Sequence, residues 1–279
     1  MSDPKPRDIH KATVRDRVVH HAIYRQLYPY FDHIFLFDAF SCRRNKGTHR
    51  ALNRFRAFAR KVSRNNTRTC WVLKCDIQKF FASIDQATLM ALLRKSIMDE
   101  HVLWLFERVI TSFHTTDRPG IGLPLGNVTS QLLINIYMHE LDAYIKRTLR
   151  ARHYVRYADD FVILSSEYEY LQQLIPKIAR FLTTRLKLSL HPRKLSITTL
   201  ASGVDFLGWV HFPGHRVLRT STKRRIVKRL QENYSTGTIA SYRGLLSHGN
   251  TYKLAHRLDQ QIARRQSTKE PKSPNVKNF

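Results

Sequence analysis

Two short β-prone runs separated by only three residues constrain the fold of this chain more than any other feature. The runs cover residues 154–157 and 161–164, and Ala158, Asp159 and Asp160 lie between them. Such runs around so short a connection predict an antiparallel hairpin with acidic residues at its tip. Taken alone, the pair has a plainer explanation, because Asp is favoured in turns.

A third carboxylate follows another β-prone run. Residues 70–75 read Cys-Trp-Val-Leu-Lys-Cys, and Asp76 comes next. Adjacent carboxylates repel one another, so three of them stay ionised together only if a cation compensates their charge. Asp76, Asp159 and Asp160 are therefore candidate ligands for Mg²⁺. Two such ions roughly 3.5–4 Å apart can activate an attacking 3′-hydroxyl and stabilise the departing pyrophosphate, which is what a polymerase needs.

Composition limits the class of protein. The 48 Lys and Arg residues exceed the 21 Asp and Glu residues, which gives a net charge of +27 on 279 residues, and 42% of the chain is hydrophobic. This apolar share excludes a disordered polycation and can fill a core in one or two domains. The charge predicts a polyanionic partner, most often nucleic acid. Since no apolar run has the length of a membrane span or a signal peptide, we expect a cytoplasmic protein without membrane contact.

Apolar spacing predicts an α+β order of elements. Helices are expected over residues 14–28, after Thr48, after Asp85, and over residues 100–113, 128–149 and 168–187, with further strands near 194–199 and 203–212 and a basic helix from Ser221. The three cysteines, Cys42, Cys70 and Cys75, have neither disulfide nor zinc-site spacing. We expect the histidines to be packed or solvated.

In the order in which they occur along the chain, these motifs resemble those of reverse transcriptases. Residues 157–160, Tyr-Ala-Asp-Asp, match the family's Tyr-x-Asp-Asp signature, and residues 73–85 are similar to its first catalytic motif. The resemblance runs from about residue 4 to about residue 260. It implies an α+β right-hand polymerase fold with an antiparallel palm sheet, partial fingers and a short helical thumb. It also implies an RNA-directed DNA polymerase, a nucleotidyltransferase whose partners are template RNA, a DNA or RNA primer and dNTPs.

The same resemblance assigns roles to individual residues. Asp76, Asp159 and Asp160 would be catalytic and, with Ile77, would bind two Mg²⁺ ions, for which Mn²⁺ could substitute. The expected nucleotide-binding residues are Lys5, Arg7, Phe81, Leu125, Gly126 and Lys194, where Phe81 rejects ribonucleotides by its bulk. The expected primer-positioning residues are Phe206, Leu207 and Gly208. The expected contacts to nucleic-acid phosphates are Arg43, Arg44, Lys46, Lys223, Arg224 and Arg225. For Lys5 and Lys194 the alternative is a solvated surface lysine. For the primer-positioning residues it is a plain core strand over 203–210, and for the phosphate contacts it is a solvated charged face.

Several segments are similar to the reverse transcriptases of diversity-generating retroelements. They are residues 15–21, 42–49, 123–137, 203–208 and 241–254. Those elements copy a template RNA with frequent errors opposite adenine, and a small helical-bundle accessory protein is a possible partner. The superfamily's usual Gln-Gly-x-x-x-Ser-Pro is here Leu-Gly-Asn-Val-Thr-Ser-Gln, from Leu125. Leucine cannot form the hydrogen bond to the nucleotide that this glutamine forms, so we predict that the polymerase copies its template with lower fidelity. Ordinary packing of Leu125 beside Ile121 and Pro124 is the alternative.

The expected domains follow the family's order. They are fingers over 1–69, a palm over 70–212 with part of the fingers interleaved, a helical thumb over 213–264, and a disordered basic tail over 265–279. Relatives usually carry a further segment before the strand that begins here at Pro4, so we expect fingers that are short at the N-terminus. Two other functions stay open for this prokaryotic or phage-encoded protein. One is a reverse transcriptase of the group II intron or phage-defence type, and the other is a truncated, non-catalytic RNA-binding relic.

Overall fold

The computed structural model describes residues 12–115, 118–232 and 235–267. Lys5 and Arg7 lie outside the described residues. The chain divides into two compact units, Met1–Ser202 and Gly203–Phe279.

An antiparallel sheet forms the centre of the first unit. Its strands are β1 (Trp71–Cys75), β2 (Tyr154–Tyr157), β3 (Asp160–Ser165) and β4 (Ser196–Thr199). Their order is β2-β3-β1-β4, and every neighbouring pair is antiparallel. The central strands β1 and β3 are buried along most of their length because helices cover the sheet, which explains their nearly continuous apolar sequence.

The described part of the first unit also contains six α-helices. They are α1 (Val14–Ile34), α2 (Thr48–Val62), α3 (Gln86–Arg94), α4 (Glu100–Thr111), α5 (Val128–Ala143) and α6 (Tyr168–Leu186). Short 3₁₀ turns cover Phe80–Ser83 and Pro192–Lys194, and a π-helical turn, Tyr144–Thr148, continues α5. Helix α5 is apolar on almost every side and is buried accordingly.

Helix α1 is longer than the sequence analysis predicts. The prediction from apolar spacing stops at residue 28, and the next residue is Pro29, which removes a helical hydrogen bond. The helix nevertheless continues to Ile34, because Tyr28 and Phe31 are buried in the core and their packing outweighs the missing bond.

The second unit begins with a small antiparallel sheet. Its strands are β5 (Val204–Phe206), β6 (Trp209–His211) and β7 (Arg216–Leu218), in that order. Helices α7 (Thr220–Glu232), α8 (Thr236–Leu246) and α9 (Tyr252–Ser267) follow. The indole of Trp209 is buried against Gly249, where a Cβ atom would clash with the ring.

Two further expectations meet the structure here. Helix α9 includes residues 265–267, which the sequence analysis assigned to a disordered tail, and residues 268–279 lie outside the described part. No helix in the described part of the chain combines the length and the apolar character that a membrane crossing needs.

Candidate active site

The predicted aspartates meet at one end of neighbouring strands. Asp76 directly follows β1, and Asp160 is the first residue of β3. The last pair in the register joins Cys75 to Phe161, so Asp76 and Asp160 occupy the next opposed position of the same antiparallel ladder. This arrangement brings together two carboxylates that are 84 residues apart in the sequence, since 160 − 76 = 84.

The hairpin turn is tighter than the sequence analysis predicts. Tyr157 pairs with Asp160, so the connection between β2 and β3 has two residues, Ala158 and Asp159. Ala158 takes a left-handed conformation with φ of 54°, as a two-residue hairpin requires of its first central residue. Asp159 therefore lies in the turn, and Asp160 lies in the strand.

Asp76 is held by the segment that precedes β4. Its Oδ2 accepts a hydrogen bond from the Lys194 ammonium at 2.8 Å, and its carbonyl accepts one from the His191 N–H at 2.7 Å. One residue further along, Ile77 is buried and forms a β-bridge with Leu190. The structure thus attaches Lys194 directly to a candidate metal ligand.

Burial and charge both act on the groups at this edge of the sheet. Oδ1 of Asp76 is buried and has no hydrogen bond within the described structure, which is a costly state for a carboxylate oxygen that a bound cation would relieve. The pKa of Cys75 is raised, first by burial and second by the negative charge of Asp160. Among the described residues, no group of three or more His, Cys, Asp or Glu side chains is arranged to hold a metal ion. The Lys194 ammonium is instead the cation at Oδ2 of Asp76.

Phe81 and Leu125 lie on two segments that are joined by backbone hydrogen bonds. The carbonyl of Phe81 accepts a hydrogen bond from the N–H of Leu123 at 2.9 Å, and the carbonyl of Ile84 accepts one from Gly122 at 2.7 Å. Phe81 is half-buried against the core. Leu125 is also half-buried, whereas Leu123 and Pro124 are buried.

Gly126 completes this segment immediately before α5. It is exposed and has a φ of 116°, a backbone conformation that favours glycine. The residues expected to contact the nucleotide in this part of the chain therefore lie on two hydrogen-bonded segments.

Arg43 does not fit its expected role as a phosphate contact. Its side chain is 5% exposed, and its Nε donates to Asp32 at 2.6 Å. The remaining guanidinium nitrogens donate to the carbonyls of Asp32, Leu36 and Ala39. The guanidinium is engaged mainly within the protein, which disfavours the predicted phosphate contact without testing it.

The other two cations of this loop are partly engaged. The guanidinium of Arg44 lies over the Tyr28 ring, 5.3 Å from its centroid. The ammonium of Lys46 donates to the Phe37 carbonyl at 2.8 Å, and its pKa is lowered by burial first and by Arg43 second. Both keep a charge near the surface, since Arg44 is exposed and Lys46 is half-buried.

In the second unit, the expected residues separate into two groups. Phe206 is fully buried, so it belongs to the core, whereas Leu207 and Gly208 form the two-residue turn between β5 and β6. Lys223 and Arg224 line a basic groove of about 1030 Å³. The other charged side chains of this groove are Lys228, Lys253 and Arg257. Arg225 is exposed on the same helix.

Comparison with known proteins decides the family. The family model described as reverse transcriptase (RNA-dependent DNA polymerase) matches residues 3–211. The chain belongs to the reverse transcriptase family. This reverse transcriptase is 25% identical to Protein YkfC of Escherichia coli, in a match that covers 88% of this chain and 72% of that protein. It is 23% identical to the group II intron-encoded protein LtrA of Lactococcus lactis, where the match covers 79% of this chain and 46% of LtrA.

Solved structures agree on the fold. The reverse transcriptase is similar to telomerase from Candida albicans, with a TM-score of 0.58 and 11% identity over 90% of this chain and 46% of that one. Telomerase from Candida tropicalis gives a TM-score of 0.57 over 87% of this chain. The expected α+β polymerase fold with antiparallel sheets is confirmed. The chain spans less than half the length of LtrA and of these telomerases.

Two residues at the reverse transcriptase site escaped the sequence analysis. The backbone of His191 fixes Asp76, a role that carries no side-chain signal. Arg156 lies within the β-prone run before Ala158 and is buried. Its signal was available, because a charged residue inside an apolar strand must find internal partners.

Proposed function

We propose that this reverse transcriptase copies an RNA template into DNA at Asp76, Asp159 and Asp160. The observation that supports this most is the strand register, in which Asp76 and Asp160 are opposed at one end of β1 and β3 with Asp159 in the adjoining turn. The chain is strongly basic elsewhere, so three carboxylates at one edge form a local exception that a cation and a triphosphate would use.

Each residue has a separate task in this proposal. Asp76, Asp159 and Asp160, with Ile77, would hold two Mg²⁺ ions, for which Mn²⁺ could substitute. When bound, Mg²⁺ supplies activation of the primer 3′-hydroxyl and neutralisation of the charge on the phosphates. Phe81 would exclude the 2′-hydroxyl of a ribonucleotide by its bulk.

The remaining contacts are assigned by charge. Lys194 would stabilise the departing pyrophosphate from its position beside Asp76. Lys5, Arg7 and Gly126 would complete the nucleotide pocket. Five of the predicted phosphate contacts have exposed or half-buried side chains, and these residues would bind nucleic-acid phosphates and contribute affinity without sequence choice. They are Arg44, Lys46, Lys223, Arg224 and Arg225.

Primer extension on a defined RNA template tests the proposal. We expect Mg²⁺-dependent extension by the parent protein and a loss of at least about 10³-fold in Asp159→Asn, since this change removes a charge with little change of shape. Asp99→Asn is the matched control, because Asn caps a helix as well as the Asp99 that caps α4. Equal extension by the parent and Asp159→Asn would contradict the proposal.

We further propose that the enzyme is error-prone and acts in a diversity-generating retroelement. The support is Leu125, which is half-buried beside buried neighbours and has no polar group for the nucleotide. The test is sequencing of the cDNA. Errors concentrated opposite template adenines support this role, and errors spread evenly over the four bases contradict it. A small helical-bundle accessory protein is the proposed partner, in a prokaryotic or phage-infected cytoplasm.

A group II intron-type reverse transcriptase is the second candidate. The similarity to LtrA, an intron-encoded protein by its name, favours it. The sequencing experiment separates the two candidates, because only the retroelement role requires errors specific to adenine.

A further inference from the structure

A buried cluster beneath the hairpin turn centres on Arg156 of β2. Its side chain and that of Asp142 on α5 are each 1% exposed. Nε donates to Oδ1 of Asp142 and Nη2 donates to Oδ2, both at 2.7 Å, which is the bidentate geometry of a strong charge-assisted pair. The Tyr154 hydroxyl donates to the same Oδ1 at 2.6 Å. A pair so far from water adds little net stability compared with apolar packing, so its main effect is the geometry that it fixes.

The third guanidinium nitrogen reaches the turn that carries the candidate catalytic residues. Nη1 of Arg156 donates to the carbonyl of Ala158 at 3.1 Å. That carbonyl belongs to the peptide whose N–H is that of Asp159, so the bond fixes the orientation of this peptide plane. Ala158 is left-handed, a conformation that costs energy for alanine and persists only where the surroundings impose it.

Arg156 is itself held by a second residue of α5 and by the segment over residues 38–40. Its Nη2 donates to Oδ1 of Asn135 at 3.3 Å, and the Asn135 amide donates to the Ser41 carbonyl at 3.0 Å. Its backbone N–H donates to the Asp38 carbonyl, and its own carbonyl accepts from the Phe40 N–H, each at 2.9 Å. The guanidinium therefore has a fixed position from which to hold the turn.

We propose that Arg156 is a positioning residue of the polymerase site, whose guanidinium holds the Ala158 peptide and thereby orients Asp159 and Asp160. The inference rests on the proposed catalytic role of those two aspartates. Arg156 lies beneath the turn and acts only through it. Lysine cannot replace it, because one ammonium group cannot bond both oxygens of Asp142 and the Ala158 carbonyl in a fixed plane.

Steady-state primer extension by the full chain gives the first test, with dNTP and Mg²⁺ concentrations varied. For Arg156→Lys we expect kcat to fall by about 10–100-fold, because misplacing a reacting group by about 1 Å has an effect of that size. The KM for dNTP should stay within about threefold, and half-maximal activity should need more Mg²⁺. Tyr154→Phe is the matched control. It removes a hydrogen bond from the same carboxylate on the same strand and leaves the guanidinium in place, so its kinetics should equal those of the parent.

Hydrogen exchange in the absence of metal and substrate gives a readout independent of activity. We expect the peptide over residues 157–161 to exchange at least about tenfold faster in Arg156→Lys, while peptides of β1 keep the parent rate. Tyr154→Phe should leave the turn unchanged. If Arg156→Lys matches Tyr154→Phe in kcat, Mg²⁺ requirement and exchange, the inference is overturned.

A second variant covers the case in which Arg156→Lys does not fold. Asn135→Ala leaves the Asp142 pair intact and removes one hydrogen bond of the guanidinium, together with the bonds of the Asn135 amide to the Ser41 and Gln131 carbonyls. We expect a smaller change in the same direction, and parent kinetics and exchange in this variant would overturn the inference. If the parent protein extends no primer, the proposed function fails and the inference fails with it. If Asp159→Asn is inactive while Arg156→Lys behaves as Tyr154→Phe does, only the inference fails.

Discussion

Lys194 donates a hydrogen bond to Oδ2 of Asp76 at 2.8 Å, across 118 residues of sequence. The Lys194 side chain is 46% exposed, whereas the Asp76 side chain is 12% exposed. The pair thus joins a surface cation to the acidic end of β1. An ion pair with so exposed a partner contributes at most about 1 kcal/mol to stability, so its importance lies in the reaction.

Removing this ammonium should slow catalysis without unfolding the protein. For Lys194→Ala we expect kcat to fall by about 10²-fold, because a preorganised cation beside the developing charge is lost. Lys194→Arg should recover part of the activity, since it keeps the charge. The measurement is single-nucleotide extension, with Lys177→Ala on the exposed face of α6 as control. An unchanged kcat in Lys194→Ala would remove this lysine from the mechanism.

Phe81 should determine the choice of sugar. Its ring is half-buried on the turn after β1, so truncation leaves space beside the segment that contains Leu123. For Phe81→Ala we expect the preference for dNTP over rNTP, measured as a ratio of kcat/KM, to fall by at least about tenfold. Phe81→Tyr keeps the bulk and should keep the preference. The same ratio in the alanine and tyrosine variants would argue against the steric role.

Leu125→Gln should raise fidelity. The new amide could donate the hydrogen bond to the nucleotide that leucine lacks, and a satisfied polar contact discriminates between pairing geometries better than an apolar one. Sequencing of cDNA should show fewer errors opposite adenine. Leu125→Met is the control, because it changes the shape and adds no hydrogen-bond donor. If both variants change the error rate equally, packing and not hydrogen bonding explains the effect.

Much of the site followed from local sequence. The apolar runs before Asp76 and around Asp159 indicated strands, and their motif order indicated one polymerase site. The proximity of the strand ends that carry Asp76 and Asp160 was not available from either segment, because the register depends on contacts between distant strands. The position of Asp160 in β3 also depended on the turn, where Ala158 takes a conformation that alanine rarely adopts.

Individual basic residues were less predictable than the net charge. The sequence analysis grouped Arg43 with Arg44 and Lys46 as surface cations, and the structure turns the Arg43 guanidinium inward onto Asp32 and three carbonyls. Phe206 likewise packs inside the second unit instead of in the turn. Which way a side chain points is decided by tertiary packing that a short motif does not encode.

Arg43 and Arg44 should respond differently to alanine substitution. Arg43→Ala removes the ion pair with Asp32 and the hydrogen bonds of the guanidinium to three carbonyls, so we expect a loss of about 2–3 kcal/mol of unfolding free energy. Arg44→Ala should lower stability by less than about 1 kcal/mol and should reduce the salt dependence of RNA binding by about one phosphate contact. Denaturant melts and binding titrations at several salt concentrations measure both quantities. A reduced salt dependence in a fully stable Arg43→Ala would restore its phosphate role.

The second unit should lose stability in acid through His211. This side chain is 3% exposed in β6, and its pKa is lowered to about 3, by burial first and by the charge of Arg216 second. The unfolded chain has an ordinary histidine pKa near 6.5, so between these values the unfolded state binds more protons than the folded state. Stability therefore falls as pH falls from 6.5 to about 3, by at most about 1.4 kcal/mol per pH unit for this one group.

Hydrogen exchange of the β5–β7 peptides measures this effect within the second unit. That choice matters because burial also lowers the pKa of His20, His139 and His153, which belong to the first unit and would add to any melt of the whole chain. His211→Gln cannot take up the proton, so its protection should depend less on pH. The exposed His256→Gln on α9 should keep the parent slope. His211 remains neutral in the folded state throughout this range. If the protection of these peptides depends on pH as steeply in His211→Gln as in the parent, other groups cause the acid sensitivity.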